Sequence, residues 1–144
     1  MSIVYSHDPE QIDFSSLSQD LIADQFHNGR TPEELKRSCL NSFISVFAMQ
    51  DRSCVAMARA LSDEVCNCYV VDVWTKSSFR EQGIASQMMK LIIDAVPGQH
   101  VYLQTDTAQN FYARLGFQPQ PDEKGHVRLF QVTVNPLSGS HKRI

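Results

Sequence analysis

Apolar positions recur along this chain with a period that changes twice. Phe14, Leu17, Leu21 and Ile22 repeat at helical spacing, which predicts a helix from Phe14 to Phe26 that His27-Asn28-Gly29 interrupts. A second helix is predicted from Pro32 to about Leu40. Thr31 is its N-cap, Pro32 occupies its first position, and Glu34 completes a T-x-x-E capping box. The period then shortens. Three runs rich in β-formers, Phe43 to Met49, Cys54 to Leu61 and Cys66 to Thr75, are separated by the turns Gln50–Ser53 and Ser62–Glu64. Connections this short can only join antiparallel neighbours, so the three form a meander. Helical spacing returns at Ile84, Met88, Leu91, Ile92 and Ala95, and Pro97-Gly98 ends it.

The remaining elements are shorter. A strand at Ile3–Tyr5 opens the chain, and Val101–Thr105 forms another. A helix at Thr107–Leu115 is closed by Gly116, and the strand Val127–Val134 precedes a polar tail, Ser138–Ile144. The link from Thr75 through a helix to Val101 is long enough for a right-handed βαβ crossover, so those two strands are expected to be parallel neighbours. The expected fold class is mixed α/β (α+β). A central, mostly antiparallel sheet with one parallel crossover would carry helices on both faces, in a single domain spanning residues 1–144.

Composition narrows the function classes. The 144 residues are 42% hydrophobic and 20% charged, as in a folded globular chain rather than a disordered one. A net charge of −3 argues against a nucleic-acid-binding surface, though a small basic patch for one phosphorylated ligand is compatible with it. No leader-like segment or membrane-length apolar run is visible. Cys66 and Cys68 lie two apart and read as small buried side chains on one strand face. With Cys39 and Cys54 also far from any pairing motif, a reducing cytoplasm is expected. His7, His27, His100, His126 and His141 are scattered, so no metal site is expected.

The segment from Val70 to Ser86 carries the most chemistry. It runs from an apolar strand containing Asp72 and Trp74 through Thr75-Lys76-Ser77-Ser78-Phe79 into Arg80-Glu81-Gln82-Gly83-Ile84-Ala85-Ser86 at a helix start. A helix N-terminus offers unpaired N–H groups and a partial positive charge. Gly83 and Ala85 permit close approach, and Lys76 and Arg80 add cations, all of which suits a phosphate. The competing reading is a strand–loop–helix with small residues for packing. The segment lacks both the Walker pattern and G-x-G-x-x-G.

Arg80-x-x-Gly83-x-Ala85, following this strand, resembles the Q/R-x-x-G-x-G/A loop of the GNAT superfamily of acetyl-CoA-dependent N-acetyltransferases. Asn110-Phe111-Tyr112-Ala113-Arg114-Leu115-Gly116-Phe117 resembles the second hallmark of that family, an aromatic-rich helix ending in G-F. The resemblance covers residues 43 to 117 well and the N-terminal third in arrangement only. It implies acetyl-CoA as co-substrate. Val73, Trp74 and Thr75 would bond the pantetheine arm through the backbone. The stretch Arg80, Glu81, Gln82, Gly83, Ile84, Ala85 and Ser86 would cradle the pyrophosphate. The strand at Val101 would splay from Val73, Asn110 would touch the coenzyme arm, and Tyr112 would lie near the sulfur. Many members of the family carry Asn where this chain has Thr105.

Acetyl transfer to an amine needs a deprotonated nucleophile, a polarised thioester carbonyl and a proton for the departing sulfur. Tyr112 is the candidate general acid, with a tyrosine packed in a short helix as the plainer alternative. A backbone N–H near Val73 is the candidate polariser. Asp72, in an otherwise apolar strand, is the candidate base, set against a structural Asp bonded to its neighbours. Phe26 and Arg30, with His27 between them, and Trp74 are candidate acceptor contacts. The expected reaction is direct attack by a primary amine on acetyl-CoA in a ternary complex, the amine being a small molecule or a peptide lysine, by a monomer or homodimer. Two alternatives remain, a non-catalytic acyl-CoA-binding regulatory module and an interaction domain without coenzyme.

Overall fold

The computed structural model describes residues 2–105, 107–125 and 127–136. The tail Ser138–Ile144, His126 and His141 lie outside the described residues. One sheet collects all seven strands: β1 (Val4–Ser6), β2 (Ile44–Gln50), β3 (Ser53–Ser62), β4 (Asn67–Thr75), β5 (His100–Gln104), β6 (Gln118–Pro121) and β7 (Val127–Thr133). Their order across the sheet is β1-β2-β3-β4-β5-β7-β6. Every neighbouring pair is antiparallel except β4 and β5, which run parallel around the crossover helix. The mixed α/β class with its single crossover is therefore the observed architecture.

Alternation along β2 and β3 separates two cores. Val46, Ala48, Ala56, Ala58 and Ala60 pack on one face beneath α3 (Ile84–Asp94). Phe47 and Met57 pack on the other with Leu17 and Leu21 of α1 (Phe14–Ala23) and Leu35 of α2 (Pro32–Leu40). Small alanines on the first face let the Met88, Met89 and Ile92 side of α3 sit close to the sheet. The predicted capping box of α2 is present. Thr31 Oγ1 accepts from Glu34 N, and Glu34 Oε1 accepts from Thr31 N.

Three sequence expectations are corrected. α1 ends at Ala23 rather than Phe26 because Gln25 and Asn28 take left-handed φ values of 58° and 54°, which no helix continues. The strand β6 has no counterpart in the sequence reading, since Gln-Pro-Gln-Pro looks like a loop. It is one of the sheet's two edge strands, where a missing N–H is tolerated. Cys66 is exposed and precedes β4, its N–H bonded to Asp63 Oδ1, so it does not share the buried environment of Cys68.

Burial pushes the Cys39 thiol up to about 11 and those of Cys54 and Cys68 up to about 12. Iodoacetamide at pH 8 is therefore expected to modify one thiol of the native protein, Cys66, and four after denaturation, as counted by intact mass. Prompt native labelling of a second cysteine would contradict this burial. The raised values also set a sign. Unfolded thiols ionise near pH 9 while the buried ones stay protonated, so native stability falls as pH climbs from about 9 towards about 12.

Candidate active site

The site begins with one extra residue in β4. Arg59 pairs with Asp72 and the next residue, Ala60, pairs with Val70, so Val71 is a β-bulge. The bulge transfers the strand's side chains from one face to the other. Cys68 and Val70 belong to the α3-side core, whereas Asp72 and Trp74 lie opposite Arg59 and Met57 on the α1–α2 side. Pairing between β4 and β5 ends at Val70–Leu103, while pairing with β3 continues to Thr75. The last five residues of β4 thus present an unpaired edge toward β5, the splay expected between Val73 and the Val101 strand.

A groove of about 690 Å³ opens at this edge. It brings together Phe26, Val73, Trp74, Thr75, Arg80, Glu81, Gly83, Ile84, Ala85, Ser86 and Tyr112 from the expected set. Phe79, Thr107, Ala108, Phe111 and Arg114 join them. Gln82 and Asn110 are exposed and do not line it. Arg30 and Asp72 lie off the groove in an ion pair described below. Trp74 contributes to the groove wall although its side chain is buried at 2% exposure, its Nε1–H donating to Asp24 Oδ2 at 3.0 Å.

The loop into α3 is shaped for an anion. Lys76 N–H donates to Val55 O, a single turn covers Ser77–Phe79, and Arg80 Nε donates to Thr75 O. Gly83 then caps α3 at φ 81° with no side chain bonded to the helix's first N–H groups. A Cβ built on Gly83 would meet nothing within 4 Å. The first turn, Gly83 to Ser86, lines the groove with the helix's partial positive charge behind it. Both nearby cations are already held by α1 and its end: Lys76 Nζ lies 3.6 Å from Asp20, and Arg80 Nη2 lies 3.5 Å from Asp24. Asp24 also accepts from Ser77 N–H and Oγ–H. Burial pushes its carboxyl up, but the bonds from Ser77 and Trp74 and the Arg80 charge together hold it below the usual range.

Across the groove, α4 (Gln109–Arg114) presents Tyr112, 6% exposed. Its ring lies edge-on to Phe111 and Phe117, with centroids 4.9 and 5.8 Å away. Burial pushes the phenol up to about 12, so it is a donor throughout the neutral range. Thr105, in the position where Asn is frequent in the resembled family, accepts from Ala108 and Thr107 N–H and starts the α4 turn.

Asp72 is not placed as a free base. It is 4% exposed, and its Oδ2 accepts from Arg59 Nε at 2.7 Å and Arg30 Nη1 at 2.8 Å. Taking a proton there would disrupt two charge-assisted hydrogen bonds. No local pattern points to Arg59 or Asp24, whose partners lie 13 and 50 residues away. Phe111 stood inside a recognised motif, which could have pointed to it.

The family model of the acetyltransferase (GNAT) domain matches residues 42–119, more than half of the chain and the whole of the bulged strand, anion loop and α4. The chain belongs to the GNAT acetyltransferase family. Solved structures carry the same fold. A GNAT-family acetyltransferase from Xanthomonas campestris pv. campestris aligns with a TM-score of 0.73 and 22% identity, over 95% of this chain and 96% of that one. An aminoglycoside 6'-N-acetyltransferase complexed with coenzyme A aligns at 0.76 and 17%, over 94% and 99%. The PaiA N-acetyltransferase of Thermoplasma acidophilum in complex with coenzyme A aligns at 0.70 and 11%, over 92% and 99%. No curated protein sequence matches. Among the described residues of this GNAT acetyltransferase, no helix is long and apolar enough to cross a membrane.

Proposed function

We propose that this chain transfers the acetyl group of acetyl-CoA to a primary amine by direct attack in a ternary complex, and that it does so in the cytoplasm. One observation carries the reading: the uncapped start of α3, the unpaired edge of β4 and buried Tyr112 all line one groove. Two solved structures of the same fold hold coenzyme A. The residues present fit that coenzyme. Backbone N–H groups from Gly83 to Ser86 suit its pyrophosphate, and Gly83 leaves them uncovered. The free edge of β4 from Val73 to Thr75 suits an amide-bearing arm, as an added strand would pair. Thr75 Oγ1 is buried without a hydrogen-bond partner, as expected of a group awaiting a ligand.

Acetyl-CoA supplies an activated thioester. The chain's own contribution is positional and electrostatic. An N–H on the β4 edge near Val73 is placed to polarise the acyl oxygen. The neutral amine's nitrogen forms a bond to the acyl carbon, the carbon–sulfur bond breaks, and the proton that nitrogen loses passes through water to the departing thiolate, which leaves as free CoA thiol. Burial pushes the Tyr112 phenol up to about 12, so the hydroxyl is protonated when the sulfur departs. It acts as a hydrogen-bond donor to the departing sulfur. Asp72, off the groove, ties Arg30 of the α1–α2 connection to β4.

The test is thiol release from acetyl-CoA across a panel of amines. Tyr112→Phe is expected to lower kcat about a hundredfold while coenzyme affinity holds. Since the donor form persists to about pH 11, the wild-type profile shows no loss attributable to Tyr112 below that pH. Unchanged kcat in the variant would remove Tyr112 from the reaction. Binding of CoA with no thiol release from any amine would favour the coenzyme-binding module instead.

A further inference from the structure

The carboxylate of Asp24 does nothing for the helix it ends. Asp24 is the C-cap of α1, where the partial negative charge of the last carbonyls disfavours an acid, and no basic residue stands in the last turn to offset it. Its side chain is nonetheless only 12% exposed. It is surrounded by donors from elsewhere in the chain. Oδ2 accepts from Trp74 Nε1–H at 3.0 Å and from Ser77 N–H at 3.2 Å, and Oδ1 accepts from Ser77 Oγ–H at 3.0 Å. Arg80 Nη2 lies 3.5 Å from Oδ2. All three partners belong to the end of β4 and the loop into α3.

That loop needs an external hold. Glu81 takes a left-handed φ of 63°, which a residue with a side chain keeps only when its surroundings enforce it. The loop's own bonds are few: Phe79 N–H to Lys76 O, and Arg80 Nε to Thr75 O at the end of β4. Among the described residues, other elements reach residues 76–82 through three polar contacts. Val55 O accepts from Lys76 N–H, Asp20 faces Lys76 Nζ, and Asp24 holds Ser77 and faces Arg80. The first two stop at Lys76. Beyond it, Asp24 is the one polar anchor from outside the β4–α3 segment among the described residues. The same carboxylate fixes the indole of Trp74 in the groove wall.

We propose that Asp24 is a positioning residue for the coenzyme: its bonds to Ser77 and Trp74 hold the loop between β4 and α3 in the shape that presents the first turn of α3 to a pyrophosphate. This rests on the coenzyme reading above. Asp24 does not line the groove, so it acts through the loop and not by touching the ligand. A loop already in its bound shape needs no ordering when the ligand arrives, and affinity falls when the hold is removed. The hydrogen bonds carry the effect rather than the charge. Arg80 Nη2, at 3.5 Å, stands outside the usual hydrogen-bond range and keeps its separate tie to Thr75 O through Nε.

Calorimetric binding of CoA to the full chain tests this with three variants, their melting curves reporting that they are folded. Asp24→Ala removes every bond and is expected to raise the Kd for CoA about five- to tenfold. Asp24→Asn has the same shape without the charge. Its oxygen accepts from Trp74 and from Ser77 N–H while its amide donates to Ser77 Oγ, so its Kd is expected to stay within about twofold of wild type. Ser77→Ala loses one bond, and is expected to cost about threefold in the wild-type background and nothing further in Asp24→Ala, where the partner is already gone. Trp74, the single tryptophan, reports the same hold, its emission moving to the red in Asp24→Ala and keeping its wild-type position in Asp24→Asn. A folded Asp24→Ala that binds CoA within about twofold of wild type would overturn the proposal, as would an Asp24→Asn as weak as Asp24→Ala. If Asp24→Ala does not fold, Ser77→Ala decides: a loss of about threefold supports the proposal and unchanged affinity overturns it. Failure of the wild-type protein to bind CoA is a separate result, which overturns the coenzyme reading and this proposal with it.

Discussion

Asp72→Ala is expected to lower the free energy of unfolding by about 3–5 kcal/mol in a denaturant titration, the largest single-residue effect on stability anticipated for this chain. The carboxylate is 4% exposed, and its two partners, Arg30 and Arg59, have side chains 18% and 13% exposed. Removing it leaves two largely desolvated guanidinium groups facing each other with no counter-charge. Their like-charge repulsion adds to the lost hydrogen bonds. Asp72→Asn retains an acceptor oxygen and is expected to fall between Ala and wild type. Replacing Asp72 and both arginines together by apolar residues of similar volume is expected to restore much of the loss, because the pair's net contribution is small once desolvation is counted. A loss below about 1 kcal/mol for Asp72→Ala would show that water reaches the cluster and screens it.

The second large effect is on the coenzyme. Gly83→Ala is expected to weaken CoA binding at least about tenfold by calorimetry while costing only about 1–2 kcal/mol of stability. The stability cost is backbone strain alone, since φ is 81° and the added Cβ meets no protein atom within 4 Å. The same empty space is what a phosphate would need, so a methyl group there acts against the ligand. Gly98→Ala is the control. It has the same φ of 81°, makes ordinary contact with Pro136 at 3.6 Å, and lies beyond the opposite end of α3. The two variants are expected to lose similar stability, and only Gly83→Ala to lose CoA affinity. Equal CoA affinity in both would dissociate the α3 start from the pyrophosphate.

The catalytic proposal and the stability prediction share an origin in the β4 bulge. In a regular strand with Val71 paired and no bulge, Asp72 and Trp74 would continue on the α3-side face with Cys68 and Val70. Neither the ion pairs to Arg30 and Arg59 nor the Trp74–Asp24 bond could then form. The same irregularity coincides with the point at which β5 leaves β4. One insertion in register both opens the groove and turns its acceptor side toward the α1–α2 loop.

Local chemistry made much of the molecule readable in advance. The α2 capping box needs only Thr31 and Glu34, three residues apart. The meander needs only turns too short to cross over. The anion loop needs only Arg80, Gly83 and Ala85 in sequence with a strand before them and a helix after. In each case the deciding interactions lie within a few residues, so composition and spacing carry them. β6 escaped notice because its two prolines are acceptable only at a sheet edge, and edge position is a property of the whole topology.

Net charge followed the same division. The sequence by itself determined a small, mildly acidic α/β chain with a phosphate-suited helix start and an aromatic helix ending in Gly-Phe. Tertiary structure alone decided that Asp72 is paired rather than free, that Lys76 and Arg80 rest against Asp20 and Asp24, and that Asn110 is exposed and does not line the groove. The physical reason is sequence distance. Arg30 reaches Asp72 across 42 residues and Trp74 reaches Asp24 across 50, and such partners are set by which faces the sheet and its bulge bring together.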